Sequence, residues 1–322
     1  MRNTLLFLFL LAVIIIGCNS SADQSFNKEE IIIFHAGSLS VPFKEIADSF
    51  QTDYPDYKVI LEASGSVAAA RKITDLHREC DIMASADYTI IEKLLIPGHT
   101  GWLIQFARNE MVIAFRENAP SANNINADNW YKILSEADIR YGRSNPDTDP
   151  CGYRTVQTLQ LAENYYENKN ISQKLLSKDQ NYIRPKETDL LSLLETATID
   201  YIFIYRSVAQ QHQLNYIPLP KEINLSAPGL AADYAKASVK IAGKKPGTTM
   251  ELQGKPMVYG ITLLDNAPNQ KAALKFLDYL LDDEKGSKIM QKNGQESIAP
   301  KETNYYNLIP ESLKKYMKPK TN

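Results

Sequence analysis

Short apolar, β-branched runs alternate with stretches of helical periodicity along this 322-residue chain. Ile31 to Phe34 and Lys58 to Leu61 each have the pattern of a strand, and each is followed by apolar residues at helical spacing. The same order recurs further along, where Asp200 to Tyr205 is a strongly apolar, aromatic strand. Because strands that alternate with helices build helix-covered parallel sheets, the pattern predicts an α/β protein with mainly parallel sheets.

The chain length predicts two lobes, since residues 30 to 322 exceed one typical domain and can bury two cores. The strands Met111 to Phe115 and Met257 to Leu264 lie where the chain would cross between the lobes, so we expect a hinge there and a ligand cleft between the lobes. The predicted boundaries are 1–18 for a signal peptide, 19–29 for a tether, 30–115 for the first part of lobe one, 116–250 for lobe two, and 251–322 for the return strand and the rest of lobe one.

The N-terminus predicts a lipoprotein signal peptide. Arg2 supplies a positive charge, and Leu5 to Ile16 is apolar but short for a membrane-spanning helix. Gly17 before Cys18 is typical of lipoprotein processing, after which the cysteine carries the lipid. The alternative is an ordinary secretory peptide with an incidental cysteine. We therefore expect an extracytoplasmic protein that is anchored to a membrane through Cys18.

The composition favours a small-molecule partner over nucleic acid. The formal net charge is −2 and charges of both signs are interspersed, so the sequence predicts neither a basic nucleic-acid surface nor a polybasic membrane patch. Cys80 and Cys151 fall in different predicted lobes without metal-site spacing, so both are predicted to be free thiols. The four scattered histidines argue against structural zinc, and hydrolase, P-loop and dinucleotide motifs do not occur.

Two strand-to-helix turns predict a ligand site. Ala36 to Leu39 and Ser64 to Val67 each place a glycine beside a serine directly before a helix. Such a turn offers backbone N–H groups, the positive end of a helix and a hydroxyl, which together hold an anion without lysine. Ser38 and Ser66 would otherwise only cap their helices. Since open α/β sheets bind ligands beyond the carboxyl ends of their strands, we expect both serines to face the cleft.

Several segments carry a resemblance to a known family that covers nearly all of the predicted mature chain. They are HAGSLSVPF at 35–43, GSV at 65–67, FARNE at 106–110, YGRSNP at 141–146, DPCGYR at 149–154, RPKE at 184–187 and IDYIFIY at 199–205. In these segments the chain is similar to the archaeal-type molybdate/tungstate-binding proteins, which are class II solute-binding proteins of ABC transporters. The resemblance implies a two-lobed class II periplasmic-binding-protein fold, a monomer, an ABC permease as partner, and no cofactor besides the oxyanion ligand.

The resemblance also implies a ligand site. The residues that it assigns to the ligand are Ser38, Ser66, Asp149, Glu187 and Tyr205. Both serines hydrogen-bond the oxyanion, and the two carboxylates approach its metal centre from lobe two. Because the chain is shorter than its archaeal counterparts between the carboxylates, Glu195 is the alternative to Glu187.

On charge alone, Asp149 and Glu187 argue against an anion, since two carboxylates repel a dianion and favour a cation or an amine. The alternative is that both are solvated residues at helix starts, where the helix dipole favours a negative charge and no ligand is involved. Molybdenum(VI) and tungsten(VI) remove the conflict, because each is a large electrophilic centre that accepts further oxygen ligands, which sulfur and phosphorus do not. We therefore expect a transport protein for molybdate or tungstate. The alternatives are another oxyanion (sulfate, chromate or phosphate) and an enzyme that uses the two carboxylates as acid and base.

Four further residues have structural interpretations. Arg108 and Arg154 are expected to form surface or interlobe ion pairs, with steering of an anion toward the cleft as the alternative. Tyr201 and Phe203 alternate along one strand, so we expect them to pack in the core of a lobe or against a helix.

Overall fold

The computed structural model describes residues 28–178, 180–243, 245, 247–298 and 301–319. The predicted signal peptide, Cys18 and most of the tether lie outside these residues. The strands are β1 (Glu29–Ala36), β2 (Tyr57–Ser64), β3 (Ile82–Ser85), β4 (Ile104–Arg108), β5 (Met111–Phe115), β6 (Tyr141–Ser144), β7 (Ile183–Arg184), β8 (Tyr201–Tyr205), β9 (Asn215–Pro218), β10 (Ser238–Ala242), β11 (Thr249–Gln253), β12 (Val258–Leu263), β13 (Glu296–Ser297), β14 (Lys301–Thr303) and β15 (Met317–Pro319).

The α-helices are α1 (Ser40–Asp53), α2 (Ser66–Thr74), α3 (Tyr88–Ile90), α4 (Trp130–Ile133), α5 (Pro150–Tyr165), α6 (Ile171–Ser177), α7 (Leu190–Glu195), α8 (Arg206–Gln211), α9 (Ala231–Tyr234), α10 (Gln270–Leu281) and α11 (Gly286–Lys292). Within the described ranges, none of them is long and apolar enough to cross a membrane.

The first lobe is built on a six-stranded sheet in the order β13-β4-β12-β3-β1-β2. From Ile31 to Phe34 strand β1 is apolar, because both of its faces are covered there. Ile31 and Ile33 lie in one buried cluster with Phe50 of α1 and Phe276 of α10, whose rings pack edge to face with centroids 5.3 Å apart. Phe34 lies in a second cluster with residues of α2. Helices on both faces hold the strand ends that carry the serine turns.

The second lobe is built on a five-stranded sheet in the order β7-β6-β8-β5-β9. Strand β8 lies in its centre, and all five of its residues are buried. The ring of Phe203 packs edge to face with those of Trp130 and Tyr141, at centroid distances of 5.9 and 5.8 Å. Tyr201 is fully buried as well, so the expected core positions of both residues are confirmed.

Two expectations about the sheets are wrong. Met111–Phe115 was expected to end lobe one, but as β5 it pairs with β8 and β9 of the second sheet, so the chain leaves lobe one at Asn109 and Glu110. Five consecutive buried apolar residues look the same in either sheet, which is why the sequence did not decide this. Both sheets are also mixed: β1 is parallel to β2 and β3, and β6 to β7 and β8, whereas β5 and β12 are antiparallel to their neighbours because they carry the chain from one lobe to the other.

An antiparallel hairpin, β10–β11, contacts both lobes. On the side of lobe one, Arg71 of α2 donates hydrogen bonds to the carbonyls of Ala242 and Gly243, each at 3.1 Å. On the side of lobe two, Gln157 of α5 donates to the carbonyl of Leu252 at 3.0 Å. The sequence pattern did not predict this hairpin, which joins the lobes away from the hinge.

Candidate ligand site

The carboxyl ends of β1, β2 and β3 form the wall of the cleft in lobe one. Ser38 lies in a 3-10 turn (Gly37–Leu39) directly after β1, and Ser66 is the first residue of α2. Neither serine is the N-cap of its helix; those positions are Leu39 and Gly65. Both serines are buried, with exposures of 1% and 0%, so their hydroxyl groups are directed at protein or ligand instead of bulk water.

Both serine oxygens already accept a hydrogen bond from the protein. Tyr259 Oη donates to Ser38 Oγ at 2.9 Å, and the backbone N–H of Ala86 donates to Ser66 Oγ at 3.0 Å. A hydroxyl has one proton of its own to donate, and an oxygen that accepts from the protein keeps that proton available. This wall is therefore suited to a ligand that accepts hydrogen bonds.

The carboxyl ends of β6 and β7 form the opposite wall. Asp149 precedes α5, and Glu187 opens a 3-10 turn (Glu187–Asp189) after β7. Asp149 does not cap its helix through its side chain; instead its Oδ2 accepts a hydrogen bond from the N–H of Glu187 at 2.9 Å. Each side chain is only 1% exposed, so neither is a solvated residue at a helix start.

The two walls meet through glycines. A Cβ built on Gly37 would lie 3.0 Å from Glu187 Oε2, and one built on Gly65 would lie 2.2 Å from the carbonyl oxygen of Thr148. The N–H of Ala68 donates to that same carbonyl at 3.2 Å. The lobes are therefore closed on each other, with the carboxylates beside the serine turns.

The carboxylates are electrostatically costly where they lie. Burial raises the pKa of Glu187 well above its ordinary value, and the neighbouring Asp149 charge raises it further. Burial also raises the pKa of Asp149. Both carboxylate oxygens of Glu187 and Oδ1 of Asp149 are buried, and none accepts a hydrogen bond of ordinary geometry from the described residues. The backbone N–H of Ser38 near Glu187 and the side chain of Ser144 near Asp149 offset the rise of the two pKa values only in part. Such oxygens call for a partner that brings an electrophilic centre or a proton into the site.

Tyr205 and Arg154 close one side of the site. Arg154 Nη1 donates to Tyr205 Oη at 3.0 Å and to the carbonyl of Ala86 at 2.9 Å, while Nη2 lies 3.7 Å from Asp87 Oδ2. Tyr153 Oη donates to the same Asp87 oxygen at 2.6 Å. Because Arg154 belongs to lobe two and Asp87 to lobe one, the expected interlobe ion pair of Arg154 is confirmed. Since Tyr205 Oη accepts from Arg154, its own proton is available for a ligand.

The structure brings together all the residues that the resemblance assigned to the ligand, namely Ser38, Ser66, Asp149, Glu187 and Tyr205. Glu195, the alternative to Glu187, is exposed at the end of α7.

Arg108 lines a different cavity of about 310 Å³ at the hinge, together with Glu110, Arg206 and Glu296. Cys80 and Cys151 are buried free thiols, as expected. Among the residues that the structure describes, no group of three or more His, Cys, Asp or Glu side chains is placed to hold a metal ion.

Two residues of the site were missed by sequence reasoning. Tyr259 contacts Ser38 although the two are 221 positions apart, and Ala86 contacts Ser66 through its backbone. A buried tyrosine in a return strand and an alanine after a strand carry no local pattern that reveals such a role.

Two lobes that close over a buried site at their strand ends define the two-lobed periplasmic-binding-protein fold. The similarity to other proteins agrees with this class and narrows it. The chain belongs to the family of bacterial extracellular solute-binding proteins, which it matches over residues 31–296. It is thus a solute-binding protein of an extracytoplasmic family.

Some of the proteins with similar sequences are named for a ligand, and others are named only as solute-binding proteins. The chain is 46% identical to an uncharacterised solute-binding protein of Petrotoga mobilis, covering 99% of this chain and 98% of the relative. It is 41% identical to the molybdate/tungstate-binding protein WtpA of Thermococcus kodakarensis, covering 95% of this chain and 93% of the relative. Both similarities extend over both lobes.

Solved structures share the fold at low sequence identity. The periplasmic molybdate-binding protein of Azotobacter vinelandii aligns with a TM-score of 0.56 and 17% identity, covering 84% of this chain and 99% of that chain. The sulfate-binding protein SubI of Mycobacterium tuberculosis aligns with a TM-score of 0.59 and 11% identity, covering 84% and 88%. These likenesses concern the fold, and they do not distinguish one oxyanion from another.

Proposed function

We propose that this protein binds molybdate or tungstate between its lobes and delivers the ion to an ABC import permease. The observation that carries the proposal is the pair of buried carboxylates, Asp149 and Glu187, whose unpartnered oxygens lie beside the hydroxyl donors Ser38 and Ser66. The serines, with Tyr205, hydrogen-bond the oxygens of the ion. The carboxylate oxygens then bind the metal centre itself.

The chemistry of the ion decides between ligands. A sulfate ion offers only acceptor oxygens, so two buried carboxylates beside it would add repulsion without any compensating bond. Molybdenum(VI) and tungsten(VI) accept carboxylate oxygens as additional ligands, which turns the repulsive pair into an attractive one. The relatives named as molybdate/tungstate-binding proteins support the same choice.

Phosphate is the second candidate, because a P–OH group would give the Glu187 carboxylate a proton to accept. Sulfate lacks such a group at neutral pH. In this alternative, the carboxylates act as hydrogen-bond acceptors only, and the metal centre plays no part.

The decisive experiment is calorimetric titration of the soluble chain from residue 19 with tungstate, molybdate, sulfate and phosphate in turn. We expect heat from tungstate and molybdate alone. Binding of phosphate or sulfate in their place would replace the proposed ligand. No heat from any of the four would refute an oxyanion function and favour the enzyme alternative, in which Asp149 and Glu187 exchange protons with a substrate.

The proposal includes a lipid anchor at Cys18 and a monomeric protein that meets the permease at the membrane. Cys18 lies outside the described residues, so its support is the preceding apolar segment and Gly17. Expression of the full chain should place the protein in the membrane fraction, and Cys18→Ala should abolish the mass of the attached lipid. An unmodified Cys18 in the mature protein would contradict the anchor.

A further inference from the structure

A chain of hydrogen bonds leads from the ligand wall of lobe one to lobe two. Tyr259 Oη donates to Ser38 Oγ at 2.9 Å, and Asn109 Nδ2 donates to Tyr259 Oη at 2.9 Å and to Ser207 Oγ at 2.7 Å. All four side chains are buried. Tyr259 belongs to β12 of lobe one, Asn109 lies where the chain crosses to lobe two, and Ser207 belongs to α8 of lobe two.

The contacts of Asn109 fix the direction of the Tyr259 proton. Asn109 Oδ1 accepts from the backbone N–H groups of Glu110 and Ser207, at 3.0 and 3.3 Å, so its amide nitrogen must face Tyr259. An amide nitrogen only donates, hence Tyr259 Oη accepts from it and sends its own proton to Ser38. The proton of Ser38 is then left for the cleft.

The backbone around Tyr259 also has an irregular pairing. The register between β12 and β4 shifts between Tyr259 and Gly260. Such bulges re-aim side chains and are frequent beside functional sites. The ring of Tyr259 packs edge to face with those of Phe106 and Tyr205, with centroid distances of 6.1 and 6.4 Å. Packing therefore holds the ring without help from the hydroxyl.

We propose that Tyr259 is a positioning residue for ligand binding, which holds the Ser38 hydroxyl as a donor toward the oxyanion. Asn109 links this orientation to the closed arrangement of the lobes, because its amide reaches Tyr259 and Ser207 at once. The inference rests on the proposed oxyanion function and adds a residue that does not touch the ligand itself. Without the Tyr259 hydroxyl, Ser38 is free to turn its proton toward other acceptors, and the ligand loses an oriented donor.

Tyr259→Phe is the natural variant, since it removes only the hydroxyl and keeps the packed ring. The matched control is Tyr279→Phe, because Tyr279 is also a buried tyrosine of lobe one and its hydroxyl bonds Ser49 Oγ at 2.7 Å, outside the site. Tungstate affinity is measured by calorimetry for both variants and for the unsubstituted chain. We expect Tyr259→Phe to bind on the order of tenfold more weakly. The control should bind like the unsubstituted chain.

A double-mutant cycle separates positioning from a general structural effect. If Tyr259 acts through Ser38, Tyr259→Phe should weaken binding little or not at all in a Ser38→Ala background. In a Ser66→Ala background it should retain its full effect, because Ser66 is oriented by Ala86 instead. Thermal melting of each ligand-free variant reports whether the fold is kept. Ser207→Ala, a milder change at the far end of the chain, should weaken binding by a smaller factor.

The outcomes are distinct. Tungstate binding by the unsubstituted chain with equal affinity in Tyr259→Phe overturns this inference and leaves the proposed function standing. Equal weakening by Tyr259→Phe in the presence and absence of the Ser38 hydroxyl overturns the route through Ser38. If Tyr259→Phe does not fold, unchanged affinity in Ser207→Ala overturns the link between the lobes. Failure of the unsubstituted chain to bind tungstate removes both the function and the inference.

Discussion

Gly65 faces the carbonyl of Thr148 across the cleft so closely that a Cβ at this position would lie 2.2 Å from the carbonyl oxygen. The backbone of Gly65 has φ −61° and ψ 143°, a conformation that any residue adopts. Glycine is therefore required here by the approach of the second lobe and not by the turn itself. The nearby N–H of Ala68 donates to the same oxygen at 3.2 Å, which makes this point part of the closed interface.

Gly65→Ala should fold normally but close poorly. The added methyl group meets backbone, which cannot move aside as a side chain would, so we expect tungstate affinity to fall on the order of tenfold or more. The melting temperature of the ligand-free protein should change little. Gly98→Ala is the control, because a Cβ there meets nothing within 4 Å. Small-angle scattering that shows the same ligand-induced compaction in Gly65→Ala as in the unsubstituted chain would contradict the prediction.

Glu187→Gln should make the ligand-free protein more stable while it weakens tungstate binding. In the unfolded chain this glutamate ionises with the ordinary pKa of 4.5, whereas burial and Asp149 raise the folded pKa well above that value. A raised folded pKa gives stability that is present below pH 4.5 and is lost as the pH rises toward the folded pKa. Glutamine does not titrate, so the ligand-free variant should gain about 1 to 3 kcal/mol at pH 7 and lose this pH dependence.

In the proposed binding mode the same variant removes one ligand of the metal centre, so tungstate affinity should fall by about a hundredfold or more. Asp149→Asn should weaken binding similarly. Glu195→Gln serves as the control, since that side chain is exposed, and it should alter neither quantity. Stability is read from denaturant unfolding without ligand, and affinity from calorimetry. Unchanged affinity in both carboxylate variants would rule out coordination of the metal centre.

The sequence predicted the elements of the fold better than their partners. The helices that follow β1 and β2, and the aromatic strand Tyr201–Tyr205, were visible because burial of one or both faces leaves a clear period in the sequence. The sequence did not reveal which sheet contains β5. A buried strand needs the same apolar residues whether it pairs with β8 or with a strand of lobe one. The hairpin β10–β11 was missed because its strands are partly exposed and lack an apolar run.

In the site, too, local features were predicted from the sequence and long-range contacts were not. Ser38 and Ser66 were predicted from local turns, because the requirement for a glycine beside a donor at a strand end acts within a few residues. Asp149 and Glu187 were placed by resemblance, while their charges alone favoured a cation. The contact between Tyr259 and Ser38 joins residues 221 positions apart and depends on a buried hydroxyl, so no local pattern carries it.

His35 should make the protein sensitive to acid. Burial lowers its pKa from 6.5 to about 4, and its ring packs against Phe43 with centroids 5.5 Å apart. Between these pH values the unfolded chain binds a proton that the folded protein excludes, so stability is present above pH 6.5 and is lost as the pH falls toward 4. The full interval corresponds to about 3 kcal/mol.

His35→Gln should therefore lose less stability between pH 7 and pH 4, measured as the change in unfolding free energy at each pH. His212→Gln is the control, because it makes the same substitution at an exposed side chain directly after α8. An identical slope in His35→Gln and the unsubstituted chain would show that other groups cause the acid sensitivity.

Hydrogen bonds join the hairpin β10–β11 to both lobes. On the side of lobe two, Asp147 Oδ1 accepts from the N–H of Ala242 at 2.8 Å, and Gln160 exchanges hydrogen bonds with the backbone of Ser238 at 2.9 and 3.0 Å. The contact with lobe one includes the guanidinium of Arg71, which donates to two hairpin carbonyls at 3.1 Å. Opening of the cleft must therefore break the contacts of the hairpin with one of the lobes, and those with lobe one include the two hydrogen bonds of Arg71.

Arg71→Met should speed ligand release while changing association little. Methionine keeps much of the aliphatic length of arginine and removes the donors, so the closed state loses two hydrogen bonds, and we expect dissociation to accelerate by about three- to tenfold. Release is followed by stopped-flow tyrosine and tryptophan fluorescence, with tungstate-loaded protein mixed into excess molybdate. Arg78→Met is the matched control, because Arg78 pairs with Glu62 at 2.6 Å within lobe one. If both variants release tungstate at the rate of the unsubstituted chain, the hairpin does not hold the cleft closed, and closure depends on the direct contacts at Gly65 and Arg154.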